Sequence, residues 1–378
     1  MFESQRIPEA EFLKKHFANY YAKHFVDSVP NPELREFGFG VFKRKIANRN
    51  LAFASASELN SFLRTNAPLF FSYSSACYKF PFLTPTQAKQ LIKADLIYEF
   101  DADELGLTVP EFNGVQWFSS EHLNEAKKQV FRLLDFVHND FGFSNDGISI
   151  NFSGKAGYHV HLRSENLQNL NKKARIELVD YLTANSFDFA NLGFDFVSLT
   201  CPASKGLWAK RIIAGAKNIL QKDAKYLSKI TGVAGRKISP LLESRERLFA
   251  SLDAGRLMPL GRKSADFWQG IFKLALENEA VPIDRQTSVD LSKIVRVPNT
   301  LHGDTGLLAK TIPLDSLNSF DPFKDAVVFD DSPVKVSVSK APEFSLAGEK
   351  FGPFDNEPVE LPLYAAIFLI GKGAAVLK

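Results

Sequence analysis

Two carboxylates, Asp101 and Asp103, stand one residue apart at the end of the apolar run LIYEFDAD. Residues i and i+2 of a strand project to the same face, so a strand here would present both carboxylates together and bury Tyr98 and Phe100 opposite. Such a pair repels unless a cation neutralises it, and Mg²⁺ commonly takes one or two carboxylates plus phosphate oxygens and waters. The spacing predicts a divalent-ion site for phosphoryl transfer. The alternative is a solvated strand end with acidic residues at a turn.

A second group of polar residues lies in GISINFSGKAGYHVHLR, residues 147–163. Strand-like alternation on both sides of a Gly-containing turn predicts a β-hairpin. One face is apolar, and the other carries Asn151, Ser153, His159, His161 and Arg163. The turn, with Ser153, Gly154 and Lys155, offers a hydroxyl, backbone N–H groups and an ammonium, which suit a triphosphate. The alternative is a hairpin whose polar face meets water, and for His161 we favour that alternative.

A third group combines Asp284 with the later segment IVRVPNTLHGDTG, residues 294–306. Arg296 and His302 are side chains that pair with phosphate oxygens. Asp284 is a candidate third carboxylate for the Asp101 and Asp103 pair. On its own, this group indicates only a polar loop.

The elements that must position these groups follow from periodicity. Helical spacing of Phe12, Phe17 and Tyr21 predicts a first helix that ends before Pro30. Strands are predicted within 37–53, 69–73, 95–103 and 294–297, and helices at 120–138, throughout most of 169–279, and in the closing VELPLYAAIFLI. Alternation within 331–360 is confined to VKVSVS. The chain is thus predicted to be α/β (α+β), with strand-rich regions on both sides of a helical block.

Charge is unevenly distributed along the chain. The 378 residues carry a formal net charge of only +3, but residues 205–263 hold 14 Lys and Arg against four Asp and Glu. Clustered positive charge of this kind is needed before a chain has an electrostatic footprint for nucleic acid. We keep three interpretations of this block: it follows a template backbone, it consists of solvated helices, or a second subunit covers it.

Two cysteines, Cys77 and Cys201, are too few for a disulfide framework or for a zinc site made of cysteines alone. A reducing, cytoplasmic setting is expected. Charges interrupt every apolar run of the N-terminus, and residues 361–370 are too short to cross a bilayer, so we expect neither a signal peptide nor a membrane span.

Taken in order, the three groups resemble the small, catalytic subunit of archaeal and eukaryotic replicative DNA primases. The matching segments are REFGF from Arg35, SYS at 72–74, YEFDADEL, SGxxGxH from Ser153, IDRQTSVD with IVRVPNTLHGDTG, FDPF at 320–323 and the closing LPLYAAIFLI. The resemblance covers nearly the whole chain. It implies a primase–polymerase fold with mixed β-sheets and an inserted α-helical subdomain: 1–168 the first part of the core, 169–280 the basic helical insert, and 281–378 the second part with a C-terminal helix.

The resemblance also implies roles for individual residues. Asp101, Asp103 and Asp284 would be the catalytic carboxylates and would hold two divalent ions, Mg²⁺ or Mn²⁺. The nucleotide's phosphates would be bound by a set of polar residues around the same pocket: Ser153, Gly154, Lys155, His159, Arg296 and His302, with Arg35 adding a charge. The chain would synthesise primers from NTPs, with dNTPs as further candidates, on single-stranded DNA in an archaeal cell. Its partner would be the primase large subunit, in a heterodimer that involves no membrane.

Two features depart from the family pattern. Family members commonly carry an arginine where this chain has Ala156, so Lys155 is left as a point charge that cannot form a bidentate clamp, and Arg163 is a candidate to compensate. Many relatives carry a Cys/His zinc knob after the acidic pair, but residues 104–122 contain no cysteine, so no structural zinc is expected.

Three rival functions remain open from the sequence. They are a stand-alone primase–polymerase of plasmid, viral or repair type, a catalytically silent nucleic-acid-binding scaffold, and a metal-dependent nuclease.

Overall fold

A computed structural model describes residues 8–185, 187–203, 206–283 and 289–378. Its helices are α1 (Pro8–Lys23), α2 (Ala56–Asn66), α3 (Ser120–Asn139), α4 (Glu165–Gln168), α5 (Lys172–Leu182), α6 (Leu207–Ile219), α7 (Ala224–Thr231), α8 (Gly235–Glu243), α9 (Arg245–Asp253), α10 (Ser264–Glu279), α11 (Pro322–Asp325) and α12 (Leu363–Lys372).

The strands run in chain order as follows: β1 (Arg35–Val41), β2 (Arg44–Leu51), β3 (Phe70–Tyr78), β4 (Leu91–Ala94), β5 (Leu96–Asp101), β6 (Glu111–Phe112), β7 (Val115–Gln116), β8 (Ile148–Phe152), β9 (Gly157–Leu162), β10 (Ile294–Arg296), β11 (Thr311–Ile312), β12 (Pro333–Ala341), β13 (Phe344–Leu346), β14 (Glu349–Phe351), β15 (Phe354–Pro362) and β16 (Ala375–Leu377). The predicted mixed α/β class is confirmed.

The chain divides into two compact units. One unit comprises Met1–Phe131, Phe143–Ile176 and Ile283–Lys378, and the other comprises Arg132–Gly142 and Glu177–Pro282. The boundaries that we predicted at 168/169 and 280/281 stay predictions, because compactness alone does not decide where an insertion begins.

Two antiparallel sheets form the body of the first unit. The first sheet has the order β10-β3-β1-β2, with β4 also paired to β3, and the second has the order β11-β8-β9-β5. Strand β3 is buried along its whole length, as expected for FFSYSSACY with neighbours on both edges. The predicted hairpin is confirmed: β8 and β9 pair with Asn151 opposite His159, and β5 pairs with β9 with Asp101 opposite Gly157.

The C-terminal part of the first unit forms a third sheet with the order β15-β12-β16. The predicted closing helix is confirmed as α12, whose ten residues are all buried. Alternation within 331–360 is confined to VKVSVS, which lies in β12, but β13, β14 and β15 also form there. Polar side chains are compatible with strands here because the pairing of β12 with β15 buries Val336 and Val338 of β12 and leaves most of β15 exposed.

The second unit is helical and aromatic-rich. Trp208 packs against Phe136 and Phe187, with ring centroids 5.2 Å apart in both pairs. Our expectation of helix through most of 169–279 was wrong between α5 and α6, where the described residues form turns and short bridges. Within the described residues, no helix is both long and apolar enough to cross a lipid bilayer.

The basic block of the second unit lies mainly at the surface. Of the thirteen Lys and Arg residues between 206 and 263, eleven are exposed, and the other two are Arg211 and Lys217. Arg211 pairs with Asp135 and Asp140 and lies over the Phe136 ring, so its charge is used within the fold. The exposed cations are the ones that a polyanion could reach.

Candidate active site

A cavity of about 450 Å³ in the first unit collects most of the predicted site residues. Both of the main sheets contribute to its wall, together with the β8–β9 turn, the β1–β2 hairpin and the loop after β10. The polar side chains that line it are Lys45, Ser72, Glu99, Asp101, Asp103, Gln116, Ser153, Lys155, His159, Lys293, Arg296 and His302.

Asp101 is the last residue of β5, and Asp103 follows in the turn. The two carboxylates reach one cavity, but strand alternation is not what brings Asp103 there, because the strand has already ended. Burial, with the negative charges of Glu99 and Asp103, raises the pKa of Asp101 to about 7. Its Oδ1 atom is buried and has no hydrogen-bond partner among the described residues. A buried carboxylate oxygen without a donor is costly unless a cation approaches it.

Two glycines of the β8–β9 turn make room for functional side chains. A Cβ on Gly157 would lie 1.9 Å from the Phe100 carbonyl oxygen and 2.5 Å from Asp101 Oδ1. Gly154 has φ +87°, and a Cβ there would lie 2.7 Å from the Cβ of His302. The turn therefore needs glycine at both positions to pack against the carboxylate strand on one side and the histidine loop on the other.

Ser153 organises this turn from within. Its Oγ accepts hydrogen bonds from the backbone N–H groups of Lys155, Ala156 and Gly157, at 3.4, 3.3 and 3.1 Å. The backbone N–H groups that we expected to meet a triphosphate therefore point at the serine oxygen. The Ser153 hydroxyl proton still has the freedom to donate into the cavity.

Arg296 provides the most distinctive donor of the site. It lies at the end of β10, is 9% exposed, and stacks its guanidinium 5.2 Å from the Phe70 ring centroid. Its Nε and Nη1 atoms are buried and have no hydrogen-bond partner among the described residues. Burial lowers its pKa to about 10, so it is charged at neutral pH. A buried cation with unused donors is strongly stabilised by an anion.

His302 adds a neutral donor. Burial, with the positive charges of Arg296 and Lys155, lowers the pKa of His302 well below its usual value of 6.5. The Asp304 backbone N–H donates to His302 Nδ1 at 3.1 Å, so the neutral ring carries its proton on Nε2 and can donate it there. Lys155 is already paired with Asp304, whose Oδ2 lies 2.9 Å from its Nζ atom.

His159 and Glu99 face each other across β9 and β5. The Nε2 atom of His159 lies 3.5 Å from Glu99 Oε1, and Lys293 pairs with the other oxygen of Glu99. Burial lowers the pKa of His159, and its Nδ1 atom is buried without a hydrogen-bond partner among the described residues. A neutral ring that donates from Nε2 to Glu99 leaves Nδ1 as an acceptor.

Three polar residues that we discussed as site or surface residues lie elsewhere. Arg35 is 1% exposed and binds both oxygens of Asp95 at 3.1 and 3.0 Å, so it does not line the cavity. Arg163 also binds Asp95, at 3.1 Å, and donates to the Tyr73 hydroxyl, so it does not compensate for Ala156. His161 is fully buried between Tyr73 and Asn151, so our preference for a surface histidine was wrong. We therefore leave Arg35 out of the proposed site.

Asp284 falls outside the described residues, so the predicted third carboxylate stays a prediction. Among the described residues, no group of three or more His, Cys, Asp or Glu is arranged to hold a metal ion. The cavity nevertheless offers Asp101 and Asp103, and two carboxylates are what Mg²⁺ commonly takes from a protein when phosphates and waters supply the rest. The unpartnered Oδ1 of Asp101 fits a divalent cation.

The zinc prediction concerns residues 104–122, which hold the short β6–β7 hairpin and then Trp117. The Trp117 ring packs 5.6 Å from Phe344 and 6.1 Å from Phe368, so aromatic packing anchors this segment. The absence of a structural zinc stays a prediction.

Sequence reasoning missed three charged residues of the cavity: Glu99, Lys45 and Lys293. Glu99 has the same strand parity as Asp101, so alternation alone could have found it. Lys293 directly precedes β10, and alternation would have placed it on the face opposite to that of Arg296. No local signal points to Lys45, because only the packing of β2 against the rest of the unit brings it to the cavity.

Comparison with known proteins gives a consistent result. A family model described as DNA primase small subunit matches residues 119–313. The chain is 32% identical to the DNA primase small subunit PriS of Methanothrix thermoacetophila, over 96% of this chain and 98% of that protein. The proteins of the same name from Methanosarcina barkeri and Archaeoglobus fulgidus are 30% and 29% identical, over 97% and 96% of this chain and 96% and 97% of theirs.

Proposed function

Because this chain belongs to the DNA primase small-subunit family, we propose that it is the catalytic subunit of an archaeal replicative primase. In this proposal it joins NTPs into short primers on single-stranded DNA, with release of pyrophosphate, and dNTPs are further candidate substrates. The similarity over nearly the whole length of the relatives favours this function over a stand-alone primase–polymerase of plasmid, viral or repair type.

One observation carries the catalytic part of the proposal. The cavity combines a carboxylate oxygen that lacks a donor, Asp101 Oδ1, with buried donors that lack acceptors, Arg296 Nε and Nη1. A nucleoside triphosphate with a divalent cation would satisfy both deficits at once, since the cation meets the carboxylates and the phosphate oxygens meet the donors.

Each side chain has a defined task in this mechanism. Asp101 and Asp103, with Asp284 as the proposed third ligand, would hold two Mg²⁺ or Mn²⁺ ions. These ions would lower the pKa of the primer's 3′-hydroxyl and neutralise the phosphates. Arg296 and His302 would bind phosphate oxygens and fix the triphosphate for in-line attack on its α-phosphorus.

The glycine-lined turn and its neighbours would complete phosphate binding. His159, Ser153 and Lys155 lie on the cavity wall beside Asp101. Gly154 does not itself line the cavity. Its role would be indirect, because its lack of a side chain lets His302 pack close to the turn. With Ala156 in place of an arginine, Lys45 and Lys293 are the additional cations within reach of the ligand.

Two partners belong to the proposal. The family's description as a small subunit supports a large primase subunit as the partner. In our proposal that partner supplies initiation and length control. The exposed cations of the second unit would follow the backbone of the template, in which case binding weakens steeply as salt is raised.

The test is primer synthesis by the purified chain, alone and with the large subunit, on single-stranded DNA with labelled NTPs and Mg²⁺ or Mn²⁺. We expect extended products that EDTA abolishes. Asp101→Ala and Asp103→Ala should lower the rate by several orders of magnitude while the protein stays folded, and Asp146→Asn, at an exposed carboxylate, should not. Primer synthesis retained by Asp101→Ala would refute the role of Asp101 as a catalytic carboxylate. Cleaved DNA would indicate a nuclease, and neither product a scaffold.

A further inference from the structure

A second cavity of about 440 Å³ adjoins the first, and the wall residues that it does not share with the first have no role in the mechanism above. The two cavities share Lys45, Gln116 and Lys155 in their walls. The second extends from there towards the β6–β7 hairpin and the C-terminal end of α12. Its ionisable wall residues are Lys43, Lys45, Lys155, Lys372, Glu111 and Asp304.

Four ammonium groups thus face two carboxylates around this cavity. The pair between Lys155 and Asp304 is 2.9 Å long and cancels one charge of each sign. The remaining wall has a clear excess of positive charge, in a concave space where a ligand displaces water. Such a wall favours a compact polyanion.

Lys372 is the residue that sets this cavity apart from a surface cluster of lysines. It is only 7% exposed, and its Nζ lies 4.8 Å from the Trp117 ring centroid and 5.1 Å from that of Phe368. Its one hydrogen bond among the described residues is to the Gln116 carbonyl oxygen, at 2.9 Å, and no carboxylate there pairs with it. A buried ammonium that has one neutral acceptor for three donors is incompletely compensated.

The charges around Lys372 destabilise its ammonium form as long as no anion is bound. Burial, together with the ammonium groups of Lys155 and Lys43 and against the attraction of Asp304, lowers the pKa of Lys372 to about 7. A helix-capping role explains Lys43, which donates to the Gly371 carbonyl oxygen at 3.2 Å. It does not explain Lys372, which donates to the neighbouring hairpin instead of to its own helix.

We propose that the second cavity is a binding subsite for a diphosphate group, with Lys372 and Lys43 as its principal contacts. The shared Lys45 and Lys155 connect it to the first cavity, so the ligand is either free inorganic pyrophosphate leaving the reaction or the terminal phosphates of a nucleotide. The claim that the reaction supplies this ligand rests on the proposed function. The claim that the cavity binds a diphosphate does not.

The direct test is isothermal titration of the full-length protein with sodium pyrophosphate, in EDTA and at constant ionic strength. Arg296→Met serves as the background protein. This substitution weakens pyrophosphate binding in the first cavity, so the titration reports mainly on the second. In that background, Lys372→Met and Lys43→Met should each weaken pyrophosphate binding about tenfold or more, as expected for a lost charge-assisted contact. Lys372→Arg should restore much of it. Lys350→Met removes the same charge from an exposed site and should change nothing.

A second arm separates the two sources of the diphosphate. A non-hydrolysable NTP analogue replaces pyrophosphate in the same titrations, with the Arg296 side chain intact. Loss of pyrophosphate affinity with unchanged analogue affinity identifies the product as the ligand, and equal losses identify the terminal phosphates of the nucleotide. Identical pyrophosphate affinities of the parent, Lys372→Met and Lys43→Met proteins would overturn the subsite. Failure of primer synthesis with this binding intact would overturn only the proposed function.

Discussion

Replacement of Asp101 by asparagine tests the electrostatics of the cavity in the absence of metal. The unfolded carboxyl has its ordinary pKa near 3.8, and burial beside Glu99 and Asp103 raises the folded value to about 7. The folded state then binds the Asp101 proton more tightly than the unfolded state does. Ionised Asp101 therefore destabilises the folded protein. This loss of stability is absent below about pH 4, grows as the pH rises, and is complete above about pH 7.

The magnitude follows from the size of this shift. One pKa unit corresponds to about 1.4 kcal/mol, so a shift of about three units makes the ionised carboxylate cost about 4 kcal/mol above pH 7. The neutral amide of Asp101→Asn escapes this cost but keeps a pH-independent offset from its own buried polar atoms. The offset is the same at pH 5 and at pH 8, so it does not contribute to the change in the stability difference between these two pH values. The variant should therefore gain about 3 kcal/mol on the parent protein over that interval.

The assay is calorimetric unfolding of both proteins in EDTA at several pH values, with Asp146→Asn as the exposed control. Addition of Mg²⁺ at pH 8 should then stabilise the parent protein relative to the variant. A cation bound only by the ionised carboxylate stabilises the parent by about 3 kcal/mol at a hundredfold excess over Kd. A stability difference that does not change with pH would refute the burial argument. Equal stabilisation of both proteins by Mg²⁺ would refute the role of Asp101 as a ligand.

The other predictions concern packing around the site and the basic surface. Asp95→Ala should cost about 3–5 kcal/mol in denaturant unfolding, because it leaves the buried Arg35 guanidinium unpaired; a loss under 1 kcal/mol would contradict this. Gly154→Ala should destabilise the fold by about 1–3 kcal/mol and raise the KM for NTP, since its Cβ meets His302. Gly106→Ala, at a similar φ of +70° but in open space, should raise no KM. Single-stranded DNA affinity should fall steeply between 50 and 200 mM salt, as is typical of phosphate contacts, and a flat dependence would exclude the basic surface from template binding.

The buried network behind the cavity shows where the limit of sequence reasoning lies. His159, His161 and Arg163 share one face of β9 and its extension, and alternation predicted that much. Only His159 reaches the cavity. Further along the same face, the Tyr73 hydroxyl on β3 forms hydrogen bonds with His161 and Arg163. Alternation groups residues by face, but it does not say which part of that face another sheet will cover.

The sequence by itself determined the local parts of this protein: the carboxylate strand, the hairpin with its glycine turn, the amphipathic helix α3 and the buried closing helix. These depend on periodicity and turn chemistry, which neighbouring residues encode. Tertiary structure decided that Arg35 forms an ion pair with Asp95 and that Lys45 and Lys293 line the cavity. Those outcomes depend on the pairing of strands far apart in the chain. Desolvation and ion pairing then act on whichever charges the packing brings together.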